Sequence, residues 1–166
     1  MIKTKIGKNL TDVEQANAND NFKLRNYLKN LAVKDSDINN TIKEIKDKYK
    51  YCERQEVIDK IVYLEVKQSQ LRSNIKQITG APIEERRKAQ STFYWSQLEL
   101  NKVQIETIVL KYLIKEIKRQ EHIEQMKTEQ IGRGALDVIV RQYLPKDKAD
   151  SLTEELYNNF YIRSVI

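Results

Sequence analysis

Apolar residues recur every three or four positions along most of this chain, and the longest such run begins at Ile38. Ile38, Ile42, Ile45, Tyr49 and Cys52 alternate spacings of four and three, which is the seam of a heptad repeat. The next apolar position, Val57, comes one residue late, and Val57, Ile61, Leu64, Gln68, Leu71, Ile75 and Ile78 then resume the alternation. The spacing predicts one helix, opened by Asp35-Ser36-Asp37, roughly 60 Å long at ~1.5 Å per residue, with a bulge or local unwinding near Cys52 to Val57. Thr79-Gly80-Ala81-Pro82 predicts a sharp reversal: Gly80 can adopt the left-handed conformation that ends a helix, and Pro82 suits the first turn of the next. Glu84 and Glu85 follow where the helix dipole favours carboxylates.

The return helix is wider on its apolar side. One row runs Phe93, Leu100, Val103, Leu110, Ile114 and Ile117, and a second runs Tyr94, Leu98, Ile105, Ile108 and Tyr112. Two adjacent rows exceed what a two-stranded seam covers. A further partner is expected there: the N-terminal helix, the C-terminal segment or another copy of the chain. The resulting architecture is all-α, a long antiparallel coiled-coil helical hairpin over 35–131 with its turn at 79–82 and short helices packed at its ends.

Both flanks read as short pieces. Residues 1–10 show no period and predict a loose tail within an N-terminal segment, 1–34. Thr11 and Glu14 have capping-box spacing, and Asp20 can cap a second piece carrying Phe22, Tyr27, Leu28 and Leu31. At the other flank, Gly132-Arg133-Gly134 predicts a helix break. A short helix with Leu136, Ile139, Val140, Tyr143 and Leu144 inward follows, and Pro145 opens another with Leu152, Leu156, Phe160 and Tyr161. Segment 132–166 then forms a small cap.

Composition supports the all-α reading. Four Gly and two Pro in 166 residues disfavour a fold with many tight turns, and 33% charged residues at helical spacing is the make-up of long helices. A single cysteine excludes an internal disulfide. No uninterrupted apolar run matches a signal peptide or a membrane span, so cytoplasm, or a particle assembled in it, is the expected location. Abundant Lys, Ile, Asn and Tyr with scarce Ala and Pro fit an AT-rich coding sequence of a low-GC bacterium, phage or plasmid. The net charge of +6 is spread along the chain without a basic arm.

Candidate chemistry is sparse. His122 is the only histidine, and Arg119 stands where a Glu-x-x-His metal pair would need its carboxylate. It reads as a surface residue. Cys52 lies on the seam, where a free cysteine acts as a small hydrophobe; two copies meeting in a dimer is the sharper alternative. Gly132-Arg133-Gly134 lacks the strand and the Lys-Ser/Thr of a phosphate loop. No catalytic residue, metal, cofactor or small-molecule substrate is expected.

Two functions fit these residues. The first is a non-enzymatic, oligomeric structural or adaptor protein, suited to a phage or mobile-element virion or its assembly. It would bind copies of itself or other protein subunits through Phe93, Leu100, Val103, Leu110, Ile114 and Ile117. The second is a nucleic-acid-binding accessory protein of replication, recombination or packaging. Its contacts would be Arg72, Lys76, Arg86, Arg87 and Lys88, with Trp95, beside Phe93 and Tyr94, as a stacking platform.

Overall fold

The computed structural model describes the backbone of residues 2–162 and the side chains of residues 11–132, 134–152, 154 and 155. The all-α class holds: among the described residues there are helices and no strand. The helices are α1 (Ile2–Asn30), α2 (Ile38–Lys48), α3 (Arg54–Gly80), α4 (Ile83–Lys88), α5 (Gln90–Tyr143) and α6 (Lys146–Ile162). None of them is long and apolar enough to cross a membrane. The chain forms two compact units, Lys3–Arg119 and Gln120–Ile166.

In the first unit the two apolar rows of α5 have different partners. Val103, Leu110 and Ile114 join Tyr49, Val57 and Leu64 in one buried cluster, with Ile45, Cys52, Ile61, Leu71 and Ile117 around it. Val109 and Tyr112 join Leu24 and Leu28 of α1 and Ile38 of α2 in another, flanked by Ile42, Ile105 and Ile108. The surplus width of the stripe is therefore filled by α1. Polar contacts tie α3 to α5 beside the first cluster: Lys67 to Glu99 at 2.5 Å, Lys111 to Glu65 at 2.6 Å, and Gln68 Nε2 donating to Thr107 Oγ1 at 2.8 Å. Gln68, the polar member of the expected seam, is thus satisfied inside it.

The expected single helix from Asp37 is divided. α2 stops at Lys48, and α3 begins at Arg54. The extra residue does more than bulge the helix because Glu53 opens a new one: its backbone N–H donates to Glu56 Oε2 at 2.7 Å, half of a capping box. The N-terminal expectation fails in the opposite direction. α1 is one continuous helix from Ile2, so residues 2–10 are no loose tail and Thr11 and Glu14 lie inside it. Its Asn- and Asp-rich middle stays helical because Arg119 of α5 donates to Asn17 Oδ1 at 2.7 Å and to Asp20 Oδ2 at 2.6 Å.

α1 ends in a Schellman motif, with Ala32 N–H bonding Lys29 O at 2.9 Å and Val33 N–H bonding Leu28 O at 3.0 Å. Ala32 takes the left-handed position usually given to glycine, at φ 62°. At 79–82 the backbone differs from the left-handed glycine expected there. Gly80 closes α3 without positive φ, and Ala81 and Pro82 are extended at ψ 159° and 155°. The short α4 then carries Glu84 and Glu85 in its first turn before α5 starts.

The second unit corrects another expectation. Gly132 and Gly134 do not break α5, which continues to Tyr143. A glycine permits a break but does not impose one; at helical φ it only weakens the helix, by about 0.5–1 kcal/mol relative to Ala. The stop comes before Pro145, whose predecessor is disfavoured in α conformation. Ile123, Val140 and Ala149 are buried, and Leu136, Leu144 and Leu152 are half-buried. Arg141 ties α5 to α6 by bonding Asp137 at 2.8 Å and Asp150 at 2.6 Å. The expected inward positions of Leu156, Phe160 and Tyr161 lie outside the described side chains.

Candidate functional site

The stripe expected to bind other chains is mostly occupied within its own. Val103, Leu110 and Ile114 are buried against α2 and α3 side chains, and Phe93, Leu100 and Ile117 are half-buried. Apolar surface is left bare at two other places. In the first unit, Asn101 Nδ2 donates to Leu31 O at 3.1 Å, where α1 ends, and the second row of α5 continues past that point uncovered. Leu98 is 36% exposed and Tyr94 60%. A cleft of about 350 Å³ lies there, lined by Leu31, Ala32, Tyr94, Leu98 and Asn101 among others. A smaller one of about 160 Å³ shares Leu31 and Gln104 with it and is bordered by Arg72 of α3. The buried Oδ1 of Asn101 accepts no hydrogen bond from the described residues.

The second bare surface is on the C-terminal part of α5. Ile131 is 73% exposed, Val138 60%, Ile139 57% and Tyr143 80%. Ile139 and Tyr143 were expected to point inward. Spacings of seven and eight residues place Val138 and Ile139 on the same side as Ile131, while Val140 takes the side that is buried. The sequence signal for this face was available: Leu136, Val138, Ile139, Val140, Tyr143 and Leu144 spread over more of the helix than one short partner helix can cover.

The five basic residues proposed to contact nucleic acid are all exposed. Arg72 and Lys76 lie one turn apart on α3, and Arg86, Arg87 and Lys88 occupy α4. Among the described residues none of the five has an ion-pair partner, so their charge is open to solvent. Trp95 is 64% exposed and meets Tyr94 edge-on, with ring centroids 6.0 Å apart. None of the five cations lies over either ring, so the expected combination of bases and stacking platform is not assembled by direct contact.

Sequence reasoning missed the polar node around Glu106. This carboxylate accepts from the Tyr49 hydroxyl and from Lys48 Nζ at 3.0 Å. Burial pushes its pKa up, but the hydrogen bonds from Tyr49 and Lys48 outweigh burial and hold it below the usual glutamate range. Burial and the neighbouring carboxylate together push the Tyr49 phenol up. Both effects keep Tyr49 neutral and Glu106 charged, which suits a structural clamp. His122 is exposed on α5, and Cys52 is half-buried beside the first core cluster. Among the described residues, no group of three or more His, Cys, Asp or Glu could hold a metal ion.

Charge divides unevenly between the units. Residues 1–119 carry 24 Lys or Arg against 16 acids, net +8, whereas 120–166 carry 6 against 8, net −2. The chain matches no protein-family model, no curated protein and no solved structure.

Proposed function

We propose that this protein is a non-enzymatic helical structural or adaptor protein that works by assembling with copies of itself. Its spine is the antiparallel coiled-coil pairing of α3 with α5. The observation that carries this reading is the bare row of Ile131, Val138, Ile139 and Tyr143 on one helix. Contiguous apolar surface of this kind is costly in water and marks contact with another protein. A cytoplasmic particle, such as a phage or mobile-element virion during its assembly, is a setting that suits the coding bias. Light scattering after size-exclusion chromatography tests the reading. Mass should rise above that of one chain as concentration increases and persist in high salt, because the contact is apolar; a monomer throughout overturns it.

A second reading has its own observation, the five cations of α3 and α4 that have no ion-pair partner among the described residues. It makes the protein a nucleic-acid-binding accessory. Titration with a short single-stranded oligonucleotide tests it: affinity must fall steeply with salt and drop on Arg86→Glu with Arg87→Glu. Binding that ignores salt, or no binding, removes it.

A further inference from the structure

The two bare apolar surfaces fit one another. We propose that the chain assembles head to tail, the bare row of α5 at 131–143 in one copy lying in the groove beyond the end of α1 in the next. This rests on the self-assembly reading above and specifies its contact.

The groove is the continuation of a site already used by a helix. α1 packs against α5 up to Asn101 and then turns away through Ala32, while α5 reaches back to Gln90. At ~1.5 Å per residue this leaves about 16 Å of α5 beside which a helix can continue the line of α1. The bare row from Ile131 to Tyr143 is about 18 Å long by the same rise. A helical row of three turns therefore meets a groove of three turns, and Val138 and Tyr143 would pack on Leu98, Tyr94 and Leu31.

Charge selects this pairing over groove with groove or row with row. Arg72 borders the smaller cleft that shares Leu31 and Gln104 with the groove, Lys76 lies one turn further along α3, and neither has an ion-pair partner among the described residues. The unit that holds the groove is net +8 and the unit that holds the row is net −2. Head-to-tail contact sets opposite signs together, whereas groove against groove brings net +8 against +8, a like-charge juxtaposition that opposes association. Row against row would leave both grooves bare. A contact between two different surfaces of the same chain is heterologous, so it adds copies until a ring closes or continues as a filament.

Sedimentation velocity on the full chain, with one substitution on each surface, tests this. Leu98→Lys and Val138→Lys each set a charge in the apolar contact, and their like sign keeps the two altered surfaces from pairing with each other; Tyr94→Lys and Ile131→Lys are second choices at more exposed positions, and circular dichroism checks that helix content is kept. Each variant alone should lose assembly, with at least a tenfold weaker association. An equal mixture of the two should form dimers and stop there, since one intact groove then meets one intact row. If Leu98→Lys still assembles while Val138→Lys does not, the row pairs with itself and the proposal is overturned. Wild-type assembly that neither pair of variants disturbs also overturns it, leaving self-assembly through another surface. A wild-type chain that never assembles overturns the reading under it as well.

Discussion

The two units treat the same helix in opposite ways. In Lys3–Arg119, α5 is walled by α1, α2 and α3, and between Val103 and Ile117 its apolar rows are closed over by two clusters. In Gln120–Ile166 the partner among the described elements is α6, and Ile131, Val138, Ile139 and Tyr143 stay exposed. The first arrangement stabilises a fold; the second leaves apolar side chains exposed. Apolar periodicity alone does not separate the two uses, because it reports that a face wants cover and not which chain supplies it.

The comparison is tested most strongly by truncating one residue on each side. Leu110→Ala, at a fully buried position, should cost about 2–5 kcal/mol in chemical denaturation, from lost transfer energy and the cavity left behind. Ile139→Ala, on the bare row, should change the stability of the dilute chain by no more than about 0.5 kcal/mol. Equal costs would mean that the row is covered in the isolated chain and would break the contrast.

Ion pairs sharpen it next. Arg119 meets Asp20 and Arg141 meets Asp150 at the same 2.6 Å, but the first pair is 25% and 12% exposed and the second 43% and 53%. Double-mutant cycles should give a coupling of about 1–3 kcal/mol for the shielded pair, as for a hydrogen bond to a charged group. The exposed pair should give about 0.2–1 kcal/mol and lose it in high salt.

Acid should act on the first unit through Glu106. Its folded pKa is depressed, so its contribution is complete above the unfolded-chain value of about 4.3 and is lost as pH falls from there through the folded value. Glu106→Gln should cost about 1–3 kcal/mol at neutral pH and flatten that part of the stability profile. A variant with an unchanged acid limb would contradict the assignment.

The smallest effects are reciprocal glycine exchanges. Gly134 has helical neighbours, no positive φ and nothing within 4 Å of a would-be Cβ, so Gly134→Ala should stabilise by about 0.5–1 kcal/mol. Ala32, at φ 62°, should gain about 1 kcal/mol from the opposite change, Ala32→Gly. If Gly134→Ala destabilises, the helix does break there and the bare row belongs to a separate element.

Much of the core was legible as spacing. Ile38, Tyr49, Val57 and Leu64 fall at seam positions and are buried, and the one-residue slip after Cys52 marked where the helix divides. Its outcome was not legible, because Glu53 is an unusual residue to open a capping box and its partner Glu56 looked like one more surface charge. The continuity of α1 was hidden for a similar reason: what holds Asn17 and Asp20 is Arg119, about a hundred residues away in the chain. Gly132 and Gly134 misled because glycine allows left-handed backbone without demanding it. The bare groove at Tyr94 and Leu98 was half visible, as the part of the second row for which α1 proves too short.

Hydrogen exchange along α5, followed at low and high protein concentration, tests the central contrast most directly. Amides over 103–117 should be strongly protected and indifferent to concentration, since their cover comes from the same chain. Those over 131–143 should exchange faster in dilute solution and slow at least tenfold as copies associate. Protection that is equal in the two stretches and unaffected by concentration would contradict the account.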